Sequence, residues 1–257
     1  NKHKVVVDAW YGAGVRFFDA TNPRRLRPIG VWQGDSSIAS QARFVPGRPD
    51  LVYVADYVRG LDVVQIDNVD GDLYVDVSAA PVTSTRTRGK LSLDTGSGEV
   101  KVTDAQGEVD LDTGSGSVEV MNIRGPFLKM DTGSGRVRGS DIVTDELEMD
   151  TGSGSVRLAR VQSKRIKLDS GSGSVELDLR SDVDDVHIES GSGGVTLGIP
   201  ESLGAAIRID TGSGGIDTDI PIQVKKAEHD YLSGTIGDGK GEISIETGSG
   251  GVRLRRS

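Results

Sequence analysis

The chain has 257 residues and a formal net charge of −9, which argues against nucleic-acid phosphates as the main partner, since no cationic excess exists to displace their counterions. Aromatic residues make up 4% and apolar residues 35%, beside 36 glycines and no cysteine; this is thin material for one large core but workable for an architecture that buries small interiors repeatedly. No run reaches the roughly 18 apolar residues of a membrane-crossing helix.

The chain opens on Asn1 rather than Met and shows no signal-peptide pattern, which reads as a processed or excised product. The absence of cysteine is compatible with an exported protein without disulfides. Aromatic residues concentrate before Tyr74, including Trp10 and Trp32. Two stretches, VVVDAWYGAGVRFFD from Val5 and LVYVADYVRGLDVVQID from Leu51, each read strand, glycine turn, strand, with Gly14 and Gly60 46 residues apart. They resemble the closing blades of the LVIVD-repeat β-propeller family. A propeller closes with at least about four blades, so residues 1–67 are expected to form a short antiparallel β segment of one to two blade-like units. That segment would cap the domain that follows or link chains.

From Asp94 the string DTGSG recurs at Asp112, Asp131, Asp150 and Asp210, with near-copies at Asp169, Glu189 and Glu246. Successive starts lie 18, 19, 19, 19, 20 and 21 residues apart, then 36. A worn copy, DYLSGTI from Asp230, fills the long interval. Before each turn stand two alternating apolar residues, from Leu91 and Leu93 through Ile166 and Leu168 to Ile243 and Ile245. After each turn one equivalent place holds Val100, Val118, Val137, Val156, Val175, Val195, Ile216 and Val252. Period-two alternation in β-branched residues indicates strands with one face inward. A period near 20 residues has room for two or three short strands and tight corners. The spacing therefore predicts a parallel β-solenoid over 68–257, with about nine coils of 18–21 residues advancing roughly 4.8 Å each. Outward positions such as Lys101, Glu119, Arg157 and Glu176 mostly alternate in sign, either pairing between coils or forming a solvated face.

The acidic corner does not alternate. Asp94, Asp112, Asp131, Asp150, Asp169, Glu189, Asp210, Asp230 and Glu246 share one sign, and charges one coil apart repel by roughly 1 kcal/mol in high dielectric. The simplest offset is local: the Asp side chain, and the Thr or Ser after it, bond backbone N–H groups of the corner. Gly96, Gly98, Gly114, Gly116, Gly133, Gly135, Gly152 and Gly154 would then supply positive φ or close backbone approach. The sharper alternative is a Ca²⁺ column on Asp94, Asp112, Asp131, Asp150, Asp169, Glu189 and Asp210, since stacked carboxylates suit that ion. The nine-residue pattern of calcium-binding β-rolls is absent, however.

Asp-Thr-Gly also invites an acid-protease reading, but that chemistry needs two carboxylates sharing a proton across two lobes, not register-matched copies. The glycine strings lack the Lys-Ser/Thr ending of a phosphate loop. Only His3, His187 and His229 could act as neutral-pH bases, and no cysteine is available as a nucleophile. No catalytic set and no cofactor are expected.

The stretch VDGDLYVDVSAAPV, the DTGSGSVEV units and the close GTIGDGKGEISIETGSGGVRL resemble the DUF4097 family of bacterial β-strand-repeat proteins, sometimes labelled adhesin-like. The resemblance implies a right-handed parallel β-solenoid, an envelope or extracellular location, and no established activity or catalytic residues. The final stretch, from Gly251 to Ser257, reads as a strand left uncapped at the sheet end, guarded only by arginines. The expected function is a non-enzymatic envelope or extracellular structural protein, self-associating head to tail into filaments or acting in adhesion. Two alternatives stand beside it: an envelope binding or stress-sensing module for a peptide, glycan or cell-wall polymer, and a calcium-stabilised solenoid.

Overall fold

A computed structural model describes residues 5–10, 14–19, 27–32, 39–45, 48–56, 60–62, 66–77 and 81–257, with side chains for 70–75 and 81–257. His3 lies outside the described residues. All regular structure described is β-strand.

Two three-stranded antiparallel sheets come first. β1 (Val5–Trp10), β2 (Gly14–Asp19) and β3 (Arg27–Trp32) form one, and β4 (Ala39–Val45), β5 (Arg48–Asp56) and β6 (Gly60–Asp62) the other. Gly14 and Gly60 stand at the start of the second strand of the hairpins β1–β2 and β5–β6.

The solenoid begins with β7 (Ile66–Asp70) and β8 (Leu73–Val77), which pair in parallel with β9 (Val82–Arg88) and β10 (Leu91–Thr95). β11 (Val100–Gln106) and β12 (Val109–Thr113) stack next, followed by the long bent strands β13 (Val118–Thr132), β14 (Val137–Thr151) and β15 (Val156–Ser170). β16 (Val175–Leu179) and β17 (Asp185–Ser190) complete about six regular turns from Val82 onward.

Each turn buries one face of two strand segments. The expected apolar pairs are inside: Leu91, Leu93, Val109, Leu111, Leu128, Met130, Leu147, Ile166 and Leu168 are at most 2% exposed. So are the valines after the corner, from Val100 through Val195 to Val252. A further buried column, Ala105, Ile123, Ile142 and Val161, closes the interior at the bend between the two segments. Arg86, Asp104, Asn122, Asp141 and Arg160 make that bend in the left-handed region, at φ 54 to 58°. Asp and Asn tolerate this conformation because their short side chains bond locally.

The far end departs from the regular climb. β18 (Val195–Ile199) stacks on β16, but β19 (Ala205–Thr211) does not stack on β17. After β20 (Ile216–Thr218), β21 (Gln223–Ala227) and β22 (Tyr231–Ile236), the chain returns as β23 (Gly241–Thr247) and β24 (Val252–Arg256). β23 lies between β17 and β19, and β24 between β18 and β20, parallel to both neighbours in each case. The final two strands thus fill a gap that residues 200–204 leave by stepping over one coil level.

Two expectations need correction. The worn copy at Asp230 is not a coil, because β22 runs antiparallel to β19, with Asp210 opposite Tyr231. Part of the expected count of about nine was this segment. The chain's last strand is also not an open edge, since β24 is enclosed on both sides. The edges at this end are instead the exposed strand β21, which carries Lys225 and Lys226 and runs antiparallel to β22, and the three-residue β20, which pairs with β24. Short edge strands and edge lysines both discourage further strand pairing.

Candidate functional site: the acidic corner column

The repeated corner stacks into one column. Asp94, Asp112, Asp131, Asp150, Asp169 and Glu189 are register partners in turn. Glu189 then pairs with Glu246, and Glu246 with Asp210, so the spatial order is not the chain order. Asp76 shares the register position before Asp94, although its sequence lacks the following Thr-Gly that marks the repeat. Asp230 stands outside the column; its carbonyl accepts the Thr211 N–H at 2.7 Å.

Hydroxyls, rather than carboxylates, close the corner. Thr113, Thr132 and Thr151 are buried, and their Oγ1 atoms accept the N–H of Gly116, Gly135 and Gly154 at 3.0, 3.1 and 3.0 Å. Thr132 Oγ1 also donates to the Gly116 carbonyl one coil below, at 3.0 Å. Ser170 and Ser190 donate instead to the carbonyls of Gly173 and Gly193, at 3.0 and 2.8 Å. Each hydroxyl therefore satisfies corner backbone groups that water does not reach. Of the two expected bonds it is the hydroxyl one that closes the corners of Thr113, Thr132 and Thr151, because strand alternation turns the Thr inward and the Asp outward.

The glycines answer to coil stacking, not to positive φ. A Cβ on Gly114 or Gly152 would meet the carbonyl oxygen of Gly96 or Gly133 at 2.6 Å. At Gly116, Gly135 and Gly154 it would fall far inside contact with the glycine carbonyl below. The same obstruction pairs Gly250 with Gly193 and Gly214 with Gly250, an independent mark of the inserted final coil.

The carboxylates face outward. Asp112 and Asp150 are exposed and Asp131 and Asp169 half-buried. Partial burial, and then the neighbouring Asp112 and Asp150, hold the Asp131 carboxyl above the ordinary carboxylate range. Asp169 is raised in the same way by burial, then by Asp150 and Glu189. Lys129 and Lys167 work against these shifts from two residues away. The column thus carries unbalanced negative charge. No group of three or more His, Asp or Glu side chains among the described residues converges to hold a metal ion. Asp94, Asp112, Asp131, Asp150, Asp169, Glu189 and Asp210 are instead strung along successive strands.

Inter-coil ion pairs occupy several of the other outward positions. Lys101 meets Glu119 at 3.1 Å, Arg157 meets Glu176 at 3.0 Å, and Arg165 meets Glu146 at 2.9 Å. At the bend, Asn122 donates to Asp104 at 2.5 Å and Arg160 Nε donates to Asp141 at 2.6 Å. That bend column escaped sequence reading, although Asp104, Asn122 and Asp141 recur at spacings of 18 and 19. His187 Nε2 lies 2.7 Å from Glu189 on an open strand face, and His229 is exposed in the turn before β22. Neither sits in an enclosed site of the kind that acid–base catalysis uses.

Stacked parallel coils, a hydroxyl-and-glycine corner ladder and charge-paired faces define a β-solenoid repeat protein. The chain belongs to the Toastrack DUF4097 family, whose model matches residues 80–255; this is a repeat domain of unknown function and not a known enzyme family. No curated protein and no solved structure matches the chain.

Proposed function

We propose that the protein is a non-enzymatic structural element of the bacterial envelope or extracellular space, a stiff spacer that associates with other copies of itself. The observation that carries this reading is the corner column. The Thr and Ser hydroxyls that the repeat maintains close each corner, and its glycines leave the room in which one coil rests on the next. Several outward positions carry charges paired between coils. Such a design gives length and rigidity with each repeat supported only by its neighbours. Filament growth through the β24 edge is not part of the proposal, since that strand is enclosed. Light scattering coupled to size-exclusion chromatography, with negative-stain microscopy, tests it. Dimers or larger oligomers whose share grows with concentration are expected, and dispersed monomers at every concentration would remove the self-association part.

One observation favours a second role beside the first. The unbalanced carboxylate column suits adhesion to a cationic peptide or cell-wall polymer, where opposite charge steers association. A salt-sensitive affinity for a polylysine surface, reduced in a variant with Asp112, Asp131 and Asp150 changed to Asn, is the expected result.

A further inference from the structure

We propose that the final coil, β23–β24, is an exchangeable element, and that two copies of this chain associate by each placing its 241–257 segment in the other's slot. The inference rests on the self-association reading above and names its interface.

Three features carry it. The slot is built without the segment that fills it: β17 and β18 form one rail, and β19 and β20 the other. Until residues 241–257 arrive, the rail at β17 and β18 presents unpaired backbone groups, which invite any strand of matching pattern.

The match is also indifferent to which chain supplies it. Ile243 sits between Val186 and Ile207, Ile245 between Ile188 and Ile209, and Val252 between Val195 and Ile216. Arg255 reaches across Gly198 to Asp178 at 2.6 Å and Glu176 at 3.2 Å. All of these contacts are identical when the segment comes from a second copy, which is why exchange of an element is a low-cost route to a dimer.

The third feature is the tether. Residues 237–240 alone join β22 to β23, and Gly237 and Gly239 hold left-handed φ of 54° and 71°. β22 and β23 flank β19, with Ala205 opposite both Ile236 and Gly241. The tether therefore spans two strand spacings, roughly 9.6 Å. Its five links reach about 17 Å when extended, but three links reach only about 10 Å. Removing two residues leaves no slack to arch over β19, so closure on the same chain is lost while reach to a second copy remains.

The chain has no cysteine, so introduced thiols report without background. His187 and Ser244 are register partners across β17 and β23, at a spacing of about 4.8 Å that a disulfide accepts. Single variants His187→Cys and Ser244→Cys, unfolded together, refolded at high concentration and oxidised, are expected to give a covalent heterodimer. Neither variant alone should give it, and the double variant should cross-link within the monomer. Thr196→Cys with Arg253→Cys, partners across β18 and β24, provides a second pair should the first disturb folding. Deleting Asp238 and Gly239 is expected to shift the population from mostly monomer to mostly dimer.

Oligomers without a mixed disulfide would overturn the exchange while leaving self-association standing. Monomers only, at every concentration, would overturn both. A folded deletion variant that stays monomeric would also refute the exchange.

Discussion

Gly154→Ala places a methyl group where coil contact is tightest. Its Cβ would fall on the Gly135 carbonyl oxygen, and the Thr151 hydroxyl would be 3.0 Å away. The obstruction is backbone, so no side-chain rotation relieves it. Either the Gly135 peptide rotates or the two corners separate. Either response strains the Gly154 N–H bond to Thr151 at 3.0 Å and the Gly171 N–H bond to the Thr151 carbonyl at 2.9 Å. Each buried hydrogen bond lost costs about 1–3 kcal/mol once its partner is stranded, and overpacking strain adds about 1 kcal/mol or more. The expected destabilisation is about 3 kcal/mol, a fall of about 6–12 °C in Tm for a domain of this size. Gly215→Ala is the matched control, because its Cβ has nothing within 4 Å and should change stability by less than about 0.5 kcal/mol. Thermal and denaturant unfolding followed by circular dichroism measures both. Equal effects at the two glycines would refute the stacked-corner argument.

The remaining predictions concern side chains. Thr132→Val keeps the shape but removes the bonds to Gly135 and Gly116, and should cost about 1–3 kcal/mol in chemical denaturation. Asp131→Asn removes like-charge repulsion from an outward position and should stabilise the protein at neutral pH by up to about 1 kcal/mol, less in high salt. The carboxyls of Asp131 and Asp169 are raised in the folded state, so the folded chain binds more protons as they titrate. Stability should therefore rise as pH falls from neutral toward the ordinary carboxylate value of about 4. Below that value the gain reverses: Asp141, Asp145 and Asp238, lowered by bonds to Arg160, Lys164 and Lys240, lose those partners on protonation. Melting curves across this range, repeated with both Asp131 and Asp169 changed to Asn, separate the two effects. Arg255→Ala leaves Glu176 and Asp178, two residues apart on β16, without the guanidinium they share and should cost about 1 kcal/mol, read by hydrogen exchange in β24.

The interior pairs, the corner glycines and the stacking of Asp94 through Glu189 were legible because each is a local pattern repeated at a fixed period. The order of the last coils was not. Period-two alternation reads the same in both chain directions, so DYLSGTI fits a parallel coil and an antiparallel edge equally well. Glu246 and Asp210 carry nearly identical surroundings, so nothing local tells which one adjoins Glu189. That choice is made by the residues 200–204 and 237–240, whose lengths decide what can be stepped over. The role of Thr and Asp at the corner also depended on which side chain points inward, a question settled by register rather than composition.

The central claim is a single corner column in which the last coil lies inside the stack. Disulfide formation in two otherwise cysteine-free variants tests it most directly. Glu189→Cys with Glu246→Cys should cross-link within one chain, since the two are register partners, while Glu189→Cys with Asp210→Cys should not, since Glu246 lies between them. Rapid cross-linking of the 189–210 pair in place of the 189–246 pair would contradict the account.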